Sequence, residues 1–363
     1  MEIKMYASEI YLTICIGFLF FVTFGQDREQ ATDKIRKRAH IPGLSVAYIG
    51  ADGSVNLGTY GLKEAKKSST IDVATLFSAA SLSKPIVGYM VLQMVDQGKF
   101  DLDRPLAEYF EYEDLLNTES YPKVTARHVL SHTSGLPNWR PRGGELTFRR
   151  APGERFGYSG EGFVWLSKVL EAITDTDFEA LAQQMVFRPL GMTRTSYIWV
   201  DSTEQDYAIP HDQQSKPQKK WKAVSPNAAA SLQTTAQDYA RFLQAIYRGE
   251  RLSSASREAM LSPQVLVKSY PEGEKISWGL GVGLQEKADG TEFWHWGDNG
   301  TFKAFFTVDV KTGTGLVYFA NSSHGLAITE AMTDLYLGTA QPAIRWNDYR
   351  QLGFGFWLMK LFR

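Results

Sequence analysis

Ser81 and Lys84 form an S-x-x-K motif where an apolar segment passes into a helical pattern. Apolar residues recur beyond the motif at helical spacing, at Val87, Met90, Val91, Met94 and Val95. Pro85 belongs in the first turn of that helix, because proline lacks the N–H that an interior helical hydrogen bond needs. The helix is therefore predicted to begin at about Ser81 and to end at Gly98, a residue type typical of a C-terminal cap.

Ser81 and Lys84 are i and i+3 neighbours, so they lie on one face of this helix near its positive end. A serine hydroxyl beside an amine can act as a nucleophile whose proton the amine removes. An oxyanion formed nearby would be stabilised by the same helix dipole. The motif therefore predicts acyl transfer through a serine.

A second S-x-x-K, Ser120 to Lys123, follows an acidic, turn-prone stretch and has Pro122 between its two residues. Proline biases the residue before it toward an extended backbone. This copy is predicted to lie in a loop and to have no catalytic role.

The whole chain has 363 residues, of which 44% are hydrophobic, enough for one large domain or two closely joined ones. Its 39 lysines and arginines nearly balance its 40 aspartates and glutamates, for a net charge of −1. No global field therefore favours nucleic acid or an anionic membrane. The expected partner is a small ester, amide or peptide substrate.

Residues 10–25 form an apolar run that is short for a membrane span and has the length of a signal peptide. Polar residues follow at once, and cleavage is predicted before Gln26. Export to the periplasm or beyond the cell is therefore expected for residues 26 onward, with an uncleaved membrane anchor as the alternative.

The single cysteine, Cys15, lies inside this run and follows Ile14, which argues against a lipoprotein site. The mature chain is thus expected to have no disulfide, thiol nucleophile or thiolate metal site. His128 and His132 have the i, i+4 spacing of zinc ligands, but the glutamate of an H-E-x-x-H motif is missing. We interpret both histidines as structural and expect neither a metal nor a cofactor.

The elements that must position the motif come from both ends of the chain. Residues 42–50 and 55–61 are predicted to form two strands joined by an Asp-Gly turn. Three more strands are predicted far downstream, over residues 278–284, 302–310 and 314–321. Mostly helical sequence lies between, with helices predicted over residues 126–132, 162–173, 178–186, 235–247 and 254–261, and another over 30–39 near the start.

This order predicts an α+β fold in which one antiparallel sheet, built from the N- and C-terminal segments and flanked by helices, receives an inserted helical region. We predict a domain over residues 26–340, with a helical lobe at roughly 100–260 and the site between the lobes. Residues 201–223 are expected to be a surface loop that could cover the site. The apolar tail, residues 341–363, could dock on the domain or contact a membrane surface.

Tyr158 lies in a glycine-rich turn ahead of a predicted helix. Glycines on either side let the backbone approach a ligand closely, so Tyr158 is a candidate proton shuttle, with a buried structural tyrosine as the alternative. Further on, the aromatic run Phe293 to Trp296 continues into Gly297 and Asp298, which predicts a short strand that ends in a turn.

The succession Ser81-x-x-Lys84, Tyr158 and His295-Trp296-Gly297 resembles the motifs of the serine β-lactamase and penicillin-binding protein superfamily. The resemblance is to the class C-like branch, with its D-aminopeptidases and β-lactamase-fold esterases. Leu130 to Pro137 is similar to a segment common in those proteins. The resemblance implies a β-lactamase/transpeptidase-like fold and an acyl-enzyme on Ser81, with Lys84 and Tyr158 as proton carriers. It also implies an oxyanion hole made by the N–H groups of Ser81 and Asp298.

A literal K-T-G occurs at Lys311 to Gly313, but it joins two predicted strands and is interpreted as a hairpin turn. By the resemblance, His295 takes the place of the lysine that is usual in the family's third motif. A histidine with an unperturbed pKa near 6.5 is about a quarter charged at pH 7, so it would hold a substrate carboxylate weakly.

The family's Y-x-N motif is Tyr158-Ser159-Gly160 here, so the amide that would hold a substrate carbonyl is missing. This change and His295 favour carboxylic esters or small amides. The alternatives are a D,D-peptidase, D-aminopeptidase or β-lactamase acting on peptidoglycan-type peptides or β-lactams, and a non-catalytic binding protein of the same fold.

Overall fold

The computed structural model of the chain describes residues 27–339 and 341–352. The predicted signal peptide with Cys15, and residues 353–363 of the predicted tail, lie outside these residues. None of the helices in the described part of the chain is both long enough and apolar enough to cross a membrane.

The described residues form one large sheet and one small one. The strands are β1 (Gly43–Ile49), β2 (Val55–Gly61), β3 (Phe77–Ser78), β4 (Gln233–Thr234), β5 (Val265–Ser269), β6 (Lys275–Trp278), β7 (Gly283–Lys287), β8 (Gly290–Asp298), β9 (Lys303–Asp309) and β10 (Gly315–Ala320). Eight of these described strands form the main sheet in the order β2-β1-β10-β9-β8-β7-β6-β5, and β3 pairs with β4.

The helices lie on both faces of this sheet. They are α1 (residues 27–38), α2 (Ser83–Asp96), α3 (Ala126–Leu130), α4 (Glu161–Thr174), α5 (Phe178–Ala182), α6 (Ala236–Arg248), α7 (Ser254–Met260), α8 (Thr329–Leu337) and α9 (Pro342–Asn347). Helical backbone also continues after α5 over Gln183–Phe187. The helices predicted from periodicity are all present, whereas α8, α9 and the strands β3 to β7 were not predicted as such.

Both ends of the chain contribute to the main sheet. The first strand, β1, pairs with β2 on one side and with β10 on the other, as in the antiparallel pair Val46 and Tyr318. The helices α2 to α7 are inserted between β2 and β5. The predicted α+β fold, an antiparallel sheet closed by the two ends of the chain, is confirmed.

Alternation along the strands gives the sheet two apolar faces. On β8, Phe293 faces the core that contains α2 and α6, while Trp294 faces the core that contains α8 and α9. The same alternation holds for Phe306 and Phe305 on β9. The sheet is thus the middle layer between two groups of helices.

The strand predicted over residues 278–284 is wrong. Only its ends belong to strands, Trp278 to β6 and Gly283 and Leu284 to β7. Residues 279–282 form the turn between these two strands, closed by a hydrogen bond of 2.9 Å from the Gly279 N–H to the Val282 carbonyl. Gly281 has φ +89°, and a Cβ on it would lie 3.2 Å from the Cα of Gly88 in α2. The turn is apolar because it is buried against α2, and this burial gives it the composition of a strand.

The described part of the predicted tail, residues 341–352, docks on the domain, which is one of the two alternatives given for it. Ala343 and Ile344 of α9 are buried, and Leu352 packs in the same core as Ala343. The Leu352 N–H donates to the Ala327 carbonyl at 2.8 Å, which fixes the end of the described chain.

Candidate active site

Ser81 lies in a single helical turn, Ala80–Leu82, that leads directly into α2. The helix itself begins at Ser83, two residues later than predicted. Ala80 has φ +50°, a conformation that non-glycine residues adopt only when their surroundings hold them there. The Ser83 hydroxyl donates to the Ala80 carbonyl at 2.5 Å, and Tyr239 donates to the Leu82 carbonyl at 2.8 Å. The turn Ala80–Leu82, which we call the nucleophile turn after the predicted role of Ser81, is therefore rigidly held.

Lys84 is fully buried as the second residue of α2, one turn after Ser81, and its side chain points back to that serine. Its Nζ donates to Ser81 Oγ at 3.0 Å and to the Ala229 carbonyl at 2.8 Å. Burial lowers the pKa of Lys84 to about 7. A large fraction of this amine is therefore neutral near pH 7 and able to accept the Ser81 proton.

Tyr158 lies against the same amine, with Lys84 Nζ 4.8 Å from the centre of its ring. Its hydroxyl is buried and makes no hydrogen bond within the described residues. Burial raises the pKa of Tyr158 above its usual value, although the nearby Ser81 hydroxyl opposes this rise. Tyr158 is therefore a protonated hydroxyl at neutral pH, which suits it to donate or relay a proton and not to act as a phenolate base.

The end of β8 forms the other side of the site. The pairing of β7 with β8 ends at Gly283 and Trp294, and Gly283 is the first residue of β7. Residues 295–298 of β8 therefore extend past β7. A Cβ on Gly297 would collide with the carbonyl oxygen of Ala79, just before the nucleophile turn. Glycine at this position lets β8 approach Ser81 as closely as it does.

His295 is fully buried, and its Nδ1 hydrogen bonds with the Trp296 carbonyl at 2.7 Å. A carbonyl only accepts, so Nδ1 carries the proton and Nε2 is left as a buried atom without a partner among the described residues. Burial, with the nearby charge of Lys84, lowers the pKa of His295 to about 3. The expectation of a partly charged His295 is corrected, because this imidazole is neutral at pH 7.

Asp298 ends β8 with its carboxylate held by three donors. One oxygen accepts from the Gly300 N–H at 2.7 Å and pairs with Lys303, and the other accepts from the Tyr349 hydroxyl at 2.8 Å. Burial raises the pKa of the Asp298 carboxyl, but Lys303 and the other donors outweigh this and lower it below its usual value. Asp298 is therefore a fixed anion beside the site.

Gly160 has no room for the asparagine that the resemblance would place there. Its N–H donates to the Asn138 carbonyl at 3.0 Å, and a Cβ on it would lie 2.8 Å from that oxygen and 2.9 Å from the Trp139 ring. The missing side-chain amide is thus explained by the packing of residues 138 and 139.

His132, which the sequence predicts to be structural, lies beside Tyr158 in the candidate active site. It is fully buried, accepts from the Ser159 N–H at 3.0 Å, and packs its ring 4.2 Å from that of Tyr158. His128 instead receives the Thr125 N–H at 3.3 Å at the start of α3. The two histidines have separate contacts, and no group of three or more possible metal ligands occurs among residues 27–339 and 341–352.

The second S-x-x-K and the literal K-T-G both lie outside the candidate active site. Lys123 is exposed and ion-paired with Glu119 at 2.9 Å. Lys311 to Gly313 form the turn between β9 and β10, where Asp309 accepts from the Lys311 N–H at 2.9 Å. This turn is at the opposite end of β9 from Asp298.

Two further contributions were missed in the sequence. The Ala229 carbonyl holds Lys84, but a backbone carbonyl has no sequence signature. Tyr349 reaches Asp298 from the far end of the chain, and no spacing rule could indicate that contact. The predicted loop at residues 201–223 packs Tyr207 against Phe302 at 5.7 Å, and its proposed role as a cover stays a prediction.

Known proteins that resemble this chain belong to the family that its motifs resemble. The family model described as Beta-lactamase matches residues 28–341. Esterase EstB of Burkholderia gladioli is 30% identical over 187 residues, which cover 43% of this chain and 47% of the esterase. Protein flp of Staphylococcus aureus (strain N315) is 23% identical over 325 residues, which cover 81% of this chain and 63% of that protein. The chain thus spans less than two thirds of the length of these relatives.

A solved structure of a class C beta-lactamase superposes with a TM-score of 0.75 at 19% sequence identity, covering 88% of this chain and 97% of the other. At this identity the likeness extends to the fold alone.

Proposed function

The chain belongs to the Beta-lactamase family, and we propose that it is a serine hydrolase that cleaves carboxylic esters or small amides whose reacting groups are uncharged. The reaction would proceed through an acyl-enzyme on Ser81. The observation that carries the proposal is the contact of 3.0 Å between Ser81 Oγ and a lysine whose pKa burial lowers to about 7.

In the proposed mechanism, Ser81 Oγ attacks the substrate carbonyl while its proton passes to the neutral amine of Lys84. The Tyr158 hydroxyl donates a proton to the leaving oxygen or nitrogen and regains one from Lys84. The acyl group remains on Ser81 as the C–O or C–N bond breaks. Water then attacks the acyl-enzyme as one of its protons passes to Lys84. Lys84 returns that proton to Ser81 Oγ as the bond between Ser81 and the acyl group breaks, which releases the carboxylic acid and free Ser81.

The family resemblance supplies the proposed oxyanion hole, the N–H groups of Ser81 and Asp298. The close approach of β8 at Gly297 supports this assignment, because it brings the end of the strand to the nucleophile turn. Losing one such donor typically costs about 3 kcal/mol of transition-state stabilisation.

The charges around the site favour an uncharged acyl donor. His295 is neutral, and Lys303 is already paired with Asp298, so neither is free to hold a substrate carboxylate. The fixed charge of Asp298 would repel such a group. A D,D-peptidase or β-lactamase substrate carries a carboxylate, which makes these activities the second candidates.

The test uses the purified protein with p-nitrophenyl acetate, a D-amino acid amide and nitrocefin, a β-lactam that carries a carboxylate. We expect the ester to have the highest kcat/KM, and a fluorophosphonate probe to label the protein. Ser81→Ala should abolish both signals. Ser120→Ala, the serine of the second S-x-x-K, is the matched control and should retain both.

Two outcomes would count against the proposal. Fastest turnover of nitrocefin would favour the β-lactamase alternative and contradict the argument from His295. No labelling of the wild type, under conditions that label a control esterase, would favour a non-catalytic binding protein.

A further inference from the structure

The segment from Gln341 to Leu352, which we call the C-terminal strap, crosses the sheet and reaches the candidate active site. Its Trp346 packs its ring 5.7 Å from Phe156, which lies in the same turn as Tyr158, and 5.7 Å from Trp296. Trp296 in turn lies 4.8 Å from the Tyr158 ring. A continuous run of aromatic contacts therefore joins the strap to the proposed proton relay.

The first half of the strap is fixed to the sheet by polar contacts. The Ala343 N–H donates to Gln285 Oε1 at 3.1 Å, and Gln285 is itself buried in β7. Arg345 forms an ion pair with Glu274 and covers the ring of Tyr270 at 4.4 Å.

The second half is fixed as well. Gln351 donates to the Leu326 carbonyl at 3.1 Å, and its side-chain oxygen accepts from the Glu330 N–H at 3.0 Å. Because both halves are anchored, the residues between them are held in place against the site.

Tyr349 is the strap residue nearest to the proposed chemistry. Its hydroxyl donates to Asp298 Oδ2 at 2.8 Å, and its ring is half-buried. Burial and the Asp298 carboxylate raise the pKa of Tyr349 above its usual value, and a hydrogen bond with the Trp296 side chain opposes this rise. Tyr349 thus lies beside the end of β8, where the proposed oxyanion donor of Asp298 is found.

We propose that Tyr349 is a specificity-determining residue, which with Trp296 forms one wall of the acyl-donor site and holds the Asp298 carboxylate away from the reacting carbonyl. This inference rests on the proposed function of the Ser81 site. The aromatic wall limits the size of the acyl group, and it offers no cation to an anionic substrate.

The hydrogen bond from Tyr349 has a second consequence. It is the donor to one of the two Asp298 carboxylate oxygens, while Gly300 and Lys303 hold the other. Without it, that oxygen would be free to turn toward the substrate, and a negative charge there opposes formation of the oxyanion. The hydroxyl and the ring of Tyr349 therefore have separable effects.

The test compares Tyr349→Phe and Tyr349→Ala with Tyr247→Phe. Tyr247 is the matched control, because its hydroxyl bonds to the Lys311 carbonyl at the opposite end of β9. Tyr349→Phe should lower kcat for p-nitrophenyl acetate several-fold and leave the preference for acyl length unchanged. Tyr349→Ala should raise the ratio of kcat/KM for p-nitrophenyl octanoate to that for the acetate by at least about tenfold.

A second measurement keeps this inference separate from the choice of substrate. The rates at which a small and a long-chain alkyl fluorophosphonate label Ser81 give a size ratio even when no ester is hydrolysed. A shift of that ratio in Tyr349→Ala supports the aromatic wall. This result would hold even if the wild type did not cleave esters, an outcome that would contradict the proposed function alone.

The inference is overturned where the folded Tyr349→Ala protein has the same size ratios as Tyr247→Phe in both measurements. Thermal unfolding establishes whether each variant is folded. Where Tyr349→Ala does not fold, Tyr349→Leu takes its place in both size measurements. An unchanged kcat in Tyr349→Phe together with unchanged size ratios in Tyr349→Leu overturns the inference.

Discussion

The Lys84 amine has no carboxylate partner among the described residues, and burial lowers its pKa from 10.5 to about 7. Since only the neutral amine can accept the Ser81 proton, activity should fall as the pH drops below about 7. We expect kcat/KM for a neutral ester, measured between pH 5 and 9, to rise with an apparent pKa near 7. A profile that is flat down to pH 5 would contradict the role of Lys84 as the base.

At the same scale, Tyr158 is distinguished by a buried hydroxyl that makes no hydrogen bond within residues 27–339 and 341–352. Tyr158→Phe should lower kcat by about 10²-fold or more while leaving the melting temperature unchanged or slightly higher, because no hydrogen bond is lost. Tyr239→Phe is the matched control, since it removes a bond of 2.8 Å to the Leu82 carbonyl and should cost about 1 kcal/mol of stability. Loss of stability in Tyr158→Phe with activity retained would favour the structural alternative.

At the scale of the elements, the contact between β8 and the nucleophile turn depends on Gly297. Gly297→Ala would push the strand away from the Ala79 carbonyl, and a displacement of about 1 Å at a reacting centre can cost about 10²-fold in rate. We therefore expect a large loss of kcat/KM. Gly273→Ala is the control, because Gly273 has φ +89° but open space around it, so it should lower stability without altering the rate per folded molecule.

Some elements were predicted correctly from the residue pattern, and others were not. Strands β1, β2, β9 and β10 were predicted from short strand-like runs joined by turn residues, and the inserted helices from apolar residues at helical spacing. The stretch from Trp278 to Leu284 was misassigned because a buried turn is as apolar as a strand. Two of its three glycines, Gly279 and Gly281, lie in the turn and were the local sign of it. The reason for its burial is the contact with α2, which no local pattern contains.

At the scale of the whole molecule, Asn321 joins the last strand of the sheet, β10, to the N-terminal strands β1 and β2. It is fully buried at the end of β10, where its side chain accepts from the Gly43 N–H at 2.7 Å and donates to the Lys63 carbonyl at 3.0 Å. Asn321→Ala should lower the free energy of unfolding by about 2–4 kcal/mol, because it leaves buried backbone groups without partners.

Chemical denaturation measures this effect, with Asn56→Ala on the exposed side of β2 as the control. A loss no larger than that of the control would mean that these bonds do not hold the sheet closed.

The sequence by itself determined which residues are candidates for the chemistry: Ser81 with Lys84 as the predicted nucleophile and base, then Tyr158, then the strand that contains His295 and Gly297. Residue type and spacing along one helix or strand carry that information. Only the tertiary structure decided that His295 is neutral, that Lys84 titrates near pH 7, and that Tyr349 reaches Asp298. These properties arise from burial and from contacts between distant parts of the chain, and both exist only once the chain has folded.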